Sequence, residues 1–166
     1  MKNSALAESI LAELNSRGET LASAESLTGG MIGALLTDVP GSSASYLGGV
    51  ISYATRLKAT LAGVDRSTLV EAGPVAERTA AEMARGVARH YAGPTGAWRQ
   101  PAWPGLRFRT ATRSARSSCA VSYQTGELLR ASKNLRCTAT VRLIRQQAAS
   151  AALALLAEAL GLNSTT

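Results

Sequence analysis

Residues 20–36 read TLASAESLTGGMIGALL, and they set out a strand, a turn and a helix in succession. Residues 20–24 are small and apolar over the length of a buried strand. Glu25-Ser26-Leu27-Thr28-Gly29-Gly30 is polar and glycine-rich, so the chain turns there. Residues 31–36 read as helix, closed by Pro40-Gly41. Upstream, Leu6, Ile10, Leu11 and Leu14 share one helical face within residues 4–17, and Gly18 is a natural stop. Downstream, Ser42 and Ser43 sit in a loop and GGVISYA, residues 48–54, is a strand candidate. Thr55 is placed to cap a short helix over 56–62 that ends at Gly63, and Asp65 is placed to cap the next turn. Pro74-Val75-Ala76-Glu77 opens a long helix to about His90, with Pro and an early Glu in the first turn where each suits a helix start. Residues 144–160 form an Ala/Leu-rich helix stopped by Gly161. Strands alternating with helices predict an α/β fold, a single layered domain over residues 1–162 with a short tail, 163–166.

The chain has 166 residues, of which 46% are apolar and 17% charged. That length carries one domain with a real core, and that composition is globular. No apolar run reaches the roughly 18 residues that a membrane span needs. The N-terminal segment carries acids within its apolar pattern and reads as a helix, not a secretion signal, so the expected location is the cytoplasm. Cys119 and Cys137 make neither a disulfide framework nor a metal box. No His/Cys/Asp/Glu cluster has metal-ligand spacing, so no metal and no cofactor are expected.

The formal net charge is +7, which ordinarily suggests a nucleic-acid partner. The distribution argues otherwise. Of 18 Lys/Arg and 11 Asp/Glu, residues 93–145 hold ten bases and one acid, Glu127, leaving eight bases and ten acids elsewhere. Trp98, Trp103, Phe108 and both cysteines also fall in this middle. The stretch GAWRQPAWPGLRFRTATRSARSSCAVS, residues 96–122, has neither the helical nor the strand period, and by itself reads as loop or basic tail. A structureless stretch of such length inside a compact domain is suspect.

The segment AESLTGG, residues 24–30, resembles the AESCTGG signature of the CinA C-terminal domain family, the nicotinamide-nucleotide amidohydrolases, with Leu27 where Cys is usual. TDVPGSSASYLGGVISYATRLKATLAGV, residues 37–64, resembles that family's T-x-x-P-G-S-S-x-x-F-x-x-G-x-x-x-Y-x-x-x-x-K stretch. VEAGPVAERTAAEMARGV, residues 70–87, resembles its G-A-V-S-E-x-x-A-x-x-M-A stretch, and IRQQAASAALALL resembles its closing helix. The resemblance covers residues 1–91 and 144–162. It implies a central mixed β-sheet flanked by helices, and it is compatible with a homodimer.

The family's middle carries T-G-x-A-G-P, then P-V-G-T-V, then G-D-R, and none appears here. Codon arithmetic recovers them. Gln100-Pro101-Ala102-Trp103-Pro104-Gly105-Leu106, read one base earlier, permits Thr-Gly-Val-Ala-Gly-Pro; Trp103 has one codon, so the Ala is forced. The same shift over 93–99 permits Ala-Asp-Trp-Gly-Val-Ala-Thr. Over 109–117 it permits Asp-Gly-x-Pro-Val-Gly-Thr-Val, and over 137–141 His-Gly-Asp-Arg-Ala. One register restores every missing motif in order. Residues of about 92 to 142 therefore read as translated one base out of frame, with slips near 92 and 143. As written, the chain is expected to fold poorly, without its central strands.

The resemblance implies hydrolysis of the amide of nicotinamide mononucleotide to nicotinic acid mononucleotide and ammonia, a step of pyridine-nucleotide salvage. Amide hydrolysis needs a nucleophile, a base and donors for the oxyanion. The one histidine, His90, stands at a helix end, which argues against a Ser-His-Asp triad and leaves a Ser with Lys or Tyr. Ser43 matches the family's proposed nucleophile, with Tyr53 and Lys58 as the activating pair. A partly buried Lys loses proton affinity and becomes a base near neutral pH. Without the resemblance, Ser43 reads as a helix cap, Tyr53 as a core-edge aromatic and Lys58 as a solvated charge. Ser26, Thr28, Gly29 and Gly30 precede a helix, an arrangement that suits a phosphate or oxyanion and equally an ordinary N-cap. Arg145 matches a family Arg near the substrate phosphate, or else is a solvated first-turn cation. The competing expectations are a catalytically inactive relative and a basic protein that binds nucleic acid through residues 93–145 with Trp98, Trp103 and Phe108 interleaved.

Overall fold

The computed structural model describes residues 3–92, 108–112, 120–124 and 141–162, with side chains over 3–91 and 141–162. The stretches to which codon arithmetic assigns T-G-x-A-G-P and G-D-R lie outside these residues, as do Trp98, Trp103 and both cysteines.

The elements run α1 (Asn3–Ser16), β1 (Leu21–Glu25), α2 (Met31–Thr37), a 3-10 turn (Ser42–Ala44), β2 (Tyr46–Ile51), α3 (Thr55–Thr60), α4 (Arg66–Glu71), α5 (Glu77–Ala92), β3 (Phe108–Thr112), β4 (Ala120–Gln124) and α6 (Val141–Ala159). The strands form one sheet in the order β2-β1-β4-β3. β1 and β2 are parallel, and β4 runs antiparallel to both β1 and β3. The sheet is therefore mixed, as the sequence led us to expect, and the fold is α/β.

β1 organises the interior. All five of its residues are buried, because both faces of the strand are covered and both edges are paired. Successive side chains point to opposite faces of a strand. Leu21 joins a cluster with Ala7, Ile10 and Leu14 of α1, Ile32 and Leu36 of α2, and Ala149, Leu153 and Leu156 of α6. Ala22 and Ala24 face the other way, onto Ala62, Val64, Met83 and Val87. Helices α1, α2 and α6 thus cover one face and α5 the other. Ile10, Leu14, Leu153 and Leu156 are wholly buried, and each such side chain contributes roughly 1.5–3 kcal/mol. In α5, Ala80, Met83, Ala84 and Val87 recur at three- and four-residue spacing and are all buried, the signature of a one-faced helix. Gly86 lies where α5 crosses the end of α3; a Cβ there would meet the carbonyl oxygen of Ala62 at 1.9 Å.

Four sequence expectations change. Residues 108–112 and 120–124, read as aperiodic, form β3 and β4. Ladder hydrogen bonds are made by backbone, and a central strand such as β1 needs partners on both edges, so pairing overrides a weak local pattern. The expectation of a chain without central strands is corrected for these ten residues. β2 begins and ends earlier than residues 48–54, since its last pairing is Ile51 with Glu25; Tyr53 lies beyond it. Thr55 is the first residue of α3, and Ala54 occupies the capping position. Asp65 stands at the start of α4 as expected but makes no side-chain cap; Glu82 receives its N–H instead, at 3.0 Å. Among the described residues no helix is long and apolar enough to cross a membrane.

Candidate active site

The carboxyl ends of the parallel pair β1 and β2 open onto the loop from Ser26 to Gly30 and onto α3. Loops at such strand ends are where open α/β sheets carry their sites. Glu25 is the last residue of β1, and strand alternation aims it at the start of α2. Its carboxyl group is buried, 2% exposed. Oε2 accepts from the N–H groups of Gly30 and Ile32 at 2.9 and 3.2 Å, and Oε1 accepts from that of Gly33 at 2.9 Å. Ser23, one alternation back, shares a 2.7 Å hydrogen bond with the Tyr46 hydroxyl. Burial raises the Tyr46 phenol above its ordinary range, with the Ser23 bond pulling the other way and the Glu25 and Tyr91 charges adding to the rise.

Among the described residues Lys58 is the other buried charge, 4% exposed. It rises from α3 toward the same loop. Its Nζ donates to Ser26 Oγ at 2.8 Å and lies 3.6 Å from Met83 Sδ. Among the described residues it has no carboxylate partner. Burial therefore pushes its pKa below the ordinary lysine value, because loss of water penalises the ammonium and no counter-charge offsets this. A buried amine with lowered proton affinity, held on a half-exposed serine hydroxyl, is an arrangement that activates an oxygen nucleophile.

The sequence-predicted site residues are only partly brought together. Ser43 is exposed in the 3-10 turn that precedes β2, whereas Lys58 follows β2. β2 has six residues, and its five steps at about 3.3 Å each put roughly 16 Å between the two ends. The hydroxyl at Lys58 is that of Ser26. Tyr53 is 73% exposed. The proposed anion cradle is also largely engaged: Gly29 N–H donates to the Ser26 carbonyl at 3.1 Å, and Gly30 N–H goes to Glu25. Thr28 is buried, and its Oγ1 has no partner among the described residues. Arg145, from the first turns of α6, donates through Nε to the Leu27 carbonyl at 3.1 Å and through Nη2 to the Thr28 carbonyl at 3.0 Å. No group of His, Cys, Asp and Glu suited to a metal occurs among the described residues. Sequence reasoning passed over Glu25. A carboxylate directly before a glycine-rich turn and a helix was the available signal, and it reads equally well as a solvated loop acid.

A three-layered α/β domain with a lysine-held serine at its parallel strand ends defines the class. Residues 3–97 match the CinA C-terminal domain profile, and the chain belongs to that family. It is 54% identical over 78 residues to a CinA-like protein of Frankia casuarinae, covering 47% of this chain and 18% of that protein. It is 54% identical over 74 residues to a putative competence-damage inducible protein of Halothermothrix orenii, covering 45% of this chain and 18% of that one. The match thus spans about a fifth of the length of these relatives. A solved competence-damaged protein (CinA) superfamily structure from Klebsiella pneumoniae superposes with a TM-score of 0.69 at 24% identity, over 97% of this chain and 99% of the other. At that identity the likeness concerns the fold.

Proposed function

We propose that the protein is an amidohydrolase that acts on the nicotinamide amide of nicotinamide mononucleotide, releasing ammonia and nicotinic acid mononucleotide in the cytoplasm. The observation that carries the reading is the 2.8 Å contact between Ser26 Oγ and the buried Lys58 Nζ, which has no carboxylate partner among the described residues. In the proposed sequence the neutral amine of Lys58 takes the Ser26 proton as Oγ attacks the amide carbon. The ammonium so formed returns a proton to the departing nitrogen as the C–N bond breaks. Water then hydrolyses the acyl ester, with Lys58 again as base. Here Ser26 replaces Ser43 as the nucleophile, since Ser43 stands at the far end of β2.

The same reading takes the frame slip as part of the proposal. The matched stretches of the two relatives cover less than half of this chain, and the profile match stops at residue 97, close to the inferred slip near 92. The restored register supplies the glycine-rich segments that the rest of the site awaits.

Ammonia release from nicotinamide mononucleotide tests the function, on the chain as written and on the frame-restored chain. Ser26→Ala and Lys58→Ala are each expected to lower kcat by about 10²–10⁴-fold, and Ser43→Ala to leave it nearly unchanged. Loss in Ser43→Ala with retention in Ser26→Ala returns the nucleophile to the 3-10 turn. Absence of ammonia from both unsubstituted chains ends the amidohydrolase reading.

A further inference from the structure

The loop that carries Ser26 is held from two sides by opposite charges. On one side the Glu25 carboxyl group accepts from the N–H groups of Gly30, Ile32 and Gly33. On the other the Arg145 guanidinium donates to the carbonyls of Leu27 and Thr28. A planar guanidinium offers its donors in a rigid fork, so two bonds to successive carbonyls fix orientation as well as distance. Gly29 and Gly30 have φ of +57° and +94°, left-handed values in a turn whose Leu27 and Thr28 carbonyls meet Arg145 of α6 while the Gly30 N–H meets Glu25 of β1. A Cβ on Gly29 would stand 2.7 Å from Arg145 Nη2, so the guanidinium occupies the space that a side chain would fill.

We propose that Arg145 is a positioning residue: it clamps the Leu27 and Thr28 carbonyls and so keeps Ser26 Oγ on Lys58, with Glu25 as the opposing jaw. This rests on the Ser26–Lys58 reading above, and it gives Arg145 a role other than that of ligand for the substrate phosphate. The effect reaches across the fold, since Arg145 enters from α6 and Glu25 from β1.

The test uses amide hydrogen exchange on the unliganded chain, which reports the clamp whether or not the protein hydrolyses anything. In Arg145→Lys, which keeps the charge but loses the fork, the amides of Gly29 to Gly33 are expected to exchange about tenfold faster, while those of Ile10 to Leu14 in α1 keep their rates. Gly29→Ala, which pushes the guanidinium away from the loop side, is expected to reproduce this pattern. Steady-state kinetics on nicotinamide mononucleotide should show kcat falling about tenfold with KM nearly unchanged. Unaltered loop exchange in both variants overturns the proposal. So does a rise in KM at constant kcat, which assigns Arg145 to the phosphate. If the unsubstituted chain releases no ammonia, the exchange data still decide the clamp, and only the catalytic reading fails.

Discussion

Lys58 shows at the residue scale what burial of a charge does to stability. Its folded pKa is depressed by burial. Below that value both the folded and the unfolded chain hold the Lys58 proton, and the folded state carries the full penalty of a buried ammonium. The penalty shrinks as pH rises through the lowered pKa toward the unfolded value of about 10.4 and is gone above it. Lys58→Met fills the same space without the charge. It is expected to abolish activity and to raise stability at pH 7 by about 1 kcal/mol, as substitutions at strained functional sites commonly do. Chemical denaturation from pH 7 to pH 11 checks this: the gain should fade toward the alkaline end. A variant less stable than the parent across that range would show that Lys58 is a structural group. The AESLTGG stretch also becomes intelligible at this scale. Glu25 gathers amides, Ser26 meets Lys58, Thr28 is buried, and two glycines adopt left-handed turns. Leu27 contributes a carbonyl to Arg145, which any residue supplies, so the departure from the usual Cys is tolerable there.

At the element scale, α5 is tied to α4 through Glu82. Oε1 accepts from Thr68 Oγ1 at 2.8 Å and from Arg78 Nε at 3.2 Å, and Oε2 accepts from the Asp65 N–H. Burial works to raise the Glu82 pKa, but the Thr68, Asp65 and Arg78 interactions outweigh it, and the group ends below the ordinary glutamate value. A depressed carboxyl pKa contributes stability above the unfolded value and loses it as pH falls through the folded one. Glu82→Gln is expected to cost about 1–2 kcal/mol at pH 7, with the difference from the parent vanishing in acid. Thermal melts at pH 7 and at pH 3 provide the check, and an equal deficit at both would remove the electrostatic explanation. The packing of α5 makes a second prediction. Gly86→Ala drives a methyl group into the Ala62 carbonyl, a backbone atom with little room to yield, and should destabilise by about 1–3 kcal/mol. A denaturant midpoint equal to that of the parent would mean that α5 slides freely past α3.

Across the whole molecule the charge split is the feature that needs explanation. The outer parts sum to −2 and the segment 93–145 to +9, a contrast that the proposed frame slip attributes to codons read out of register. Peptide mapping by mass spectrometry over residues 89–146 of the natively expressed protein is expected to return Ala-Asp-Trp-Gly-Val-Ala-Thr-Thr-Gly-Val-Ala-Gly-Pro. Fragments carrying Trp98-Arg99-Gln100-Pro101-Ala102-Trp103 would instead make the double slip a property of the gene and the amidohydrolase an ancestry.

Much of this was legible in the residues. The apolar spacing in residues 4–17 placed the buried face of α1, the AESLTGG stretch marked the turn between β1 and α2, and Lys58 was named before its surroundings were known. These are local signals: helical period, turn chemistry and motif spacing depend on neighbours along the chain. What only the tertiary structure decided is which hydroxyl Lys58 meets. Ser26 and Lys58 lie 32 positions apart, and only the parallel pairing of β1 with β2 puts their strand ends together while it leaves Ser43 at the other end of β2. The fold of residues 108–112 and 120–124, the burial that lowers the Lys58 pKa and the reach of Arg145 from α6 to Leu27 are likewise long-range. They arise from sheet pairing and from the exclusion of water, and no local pattern in the chain encodes either.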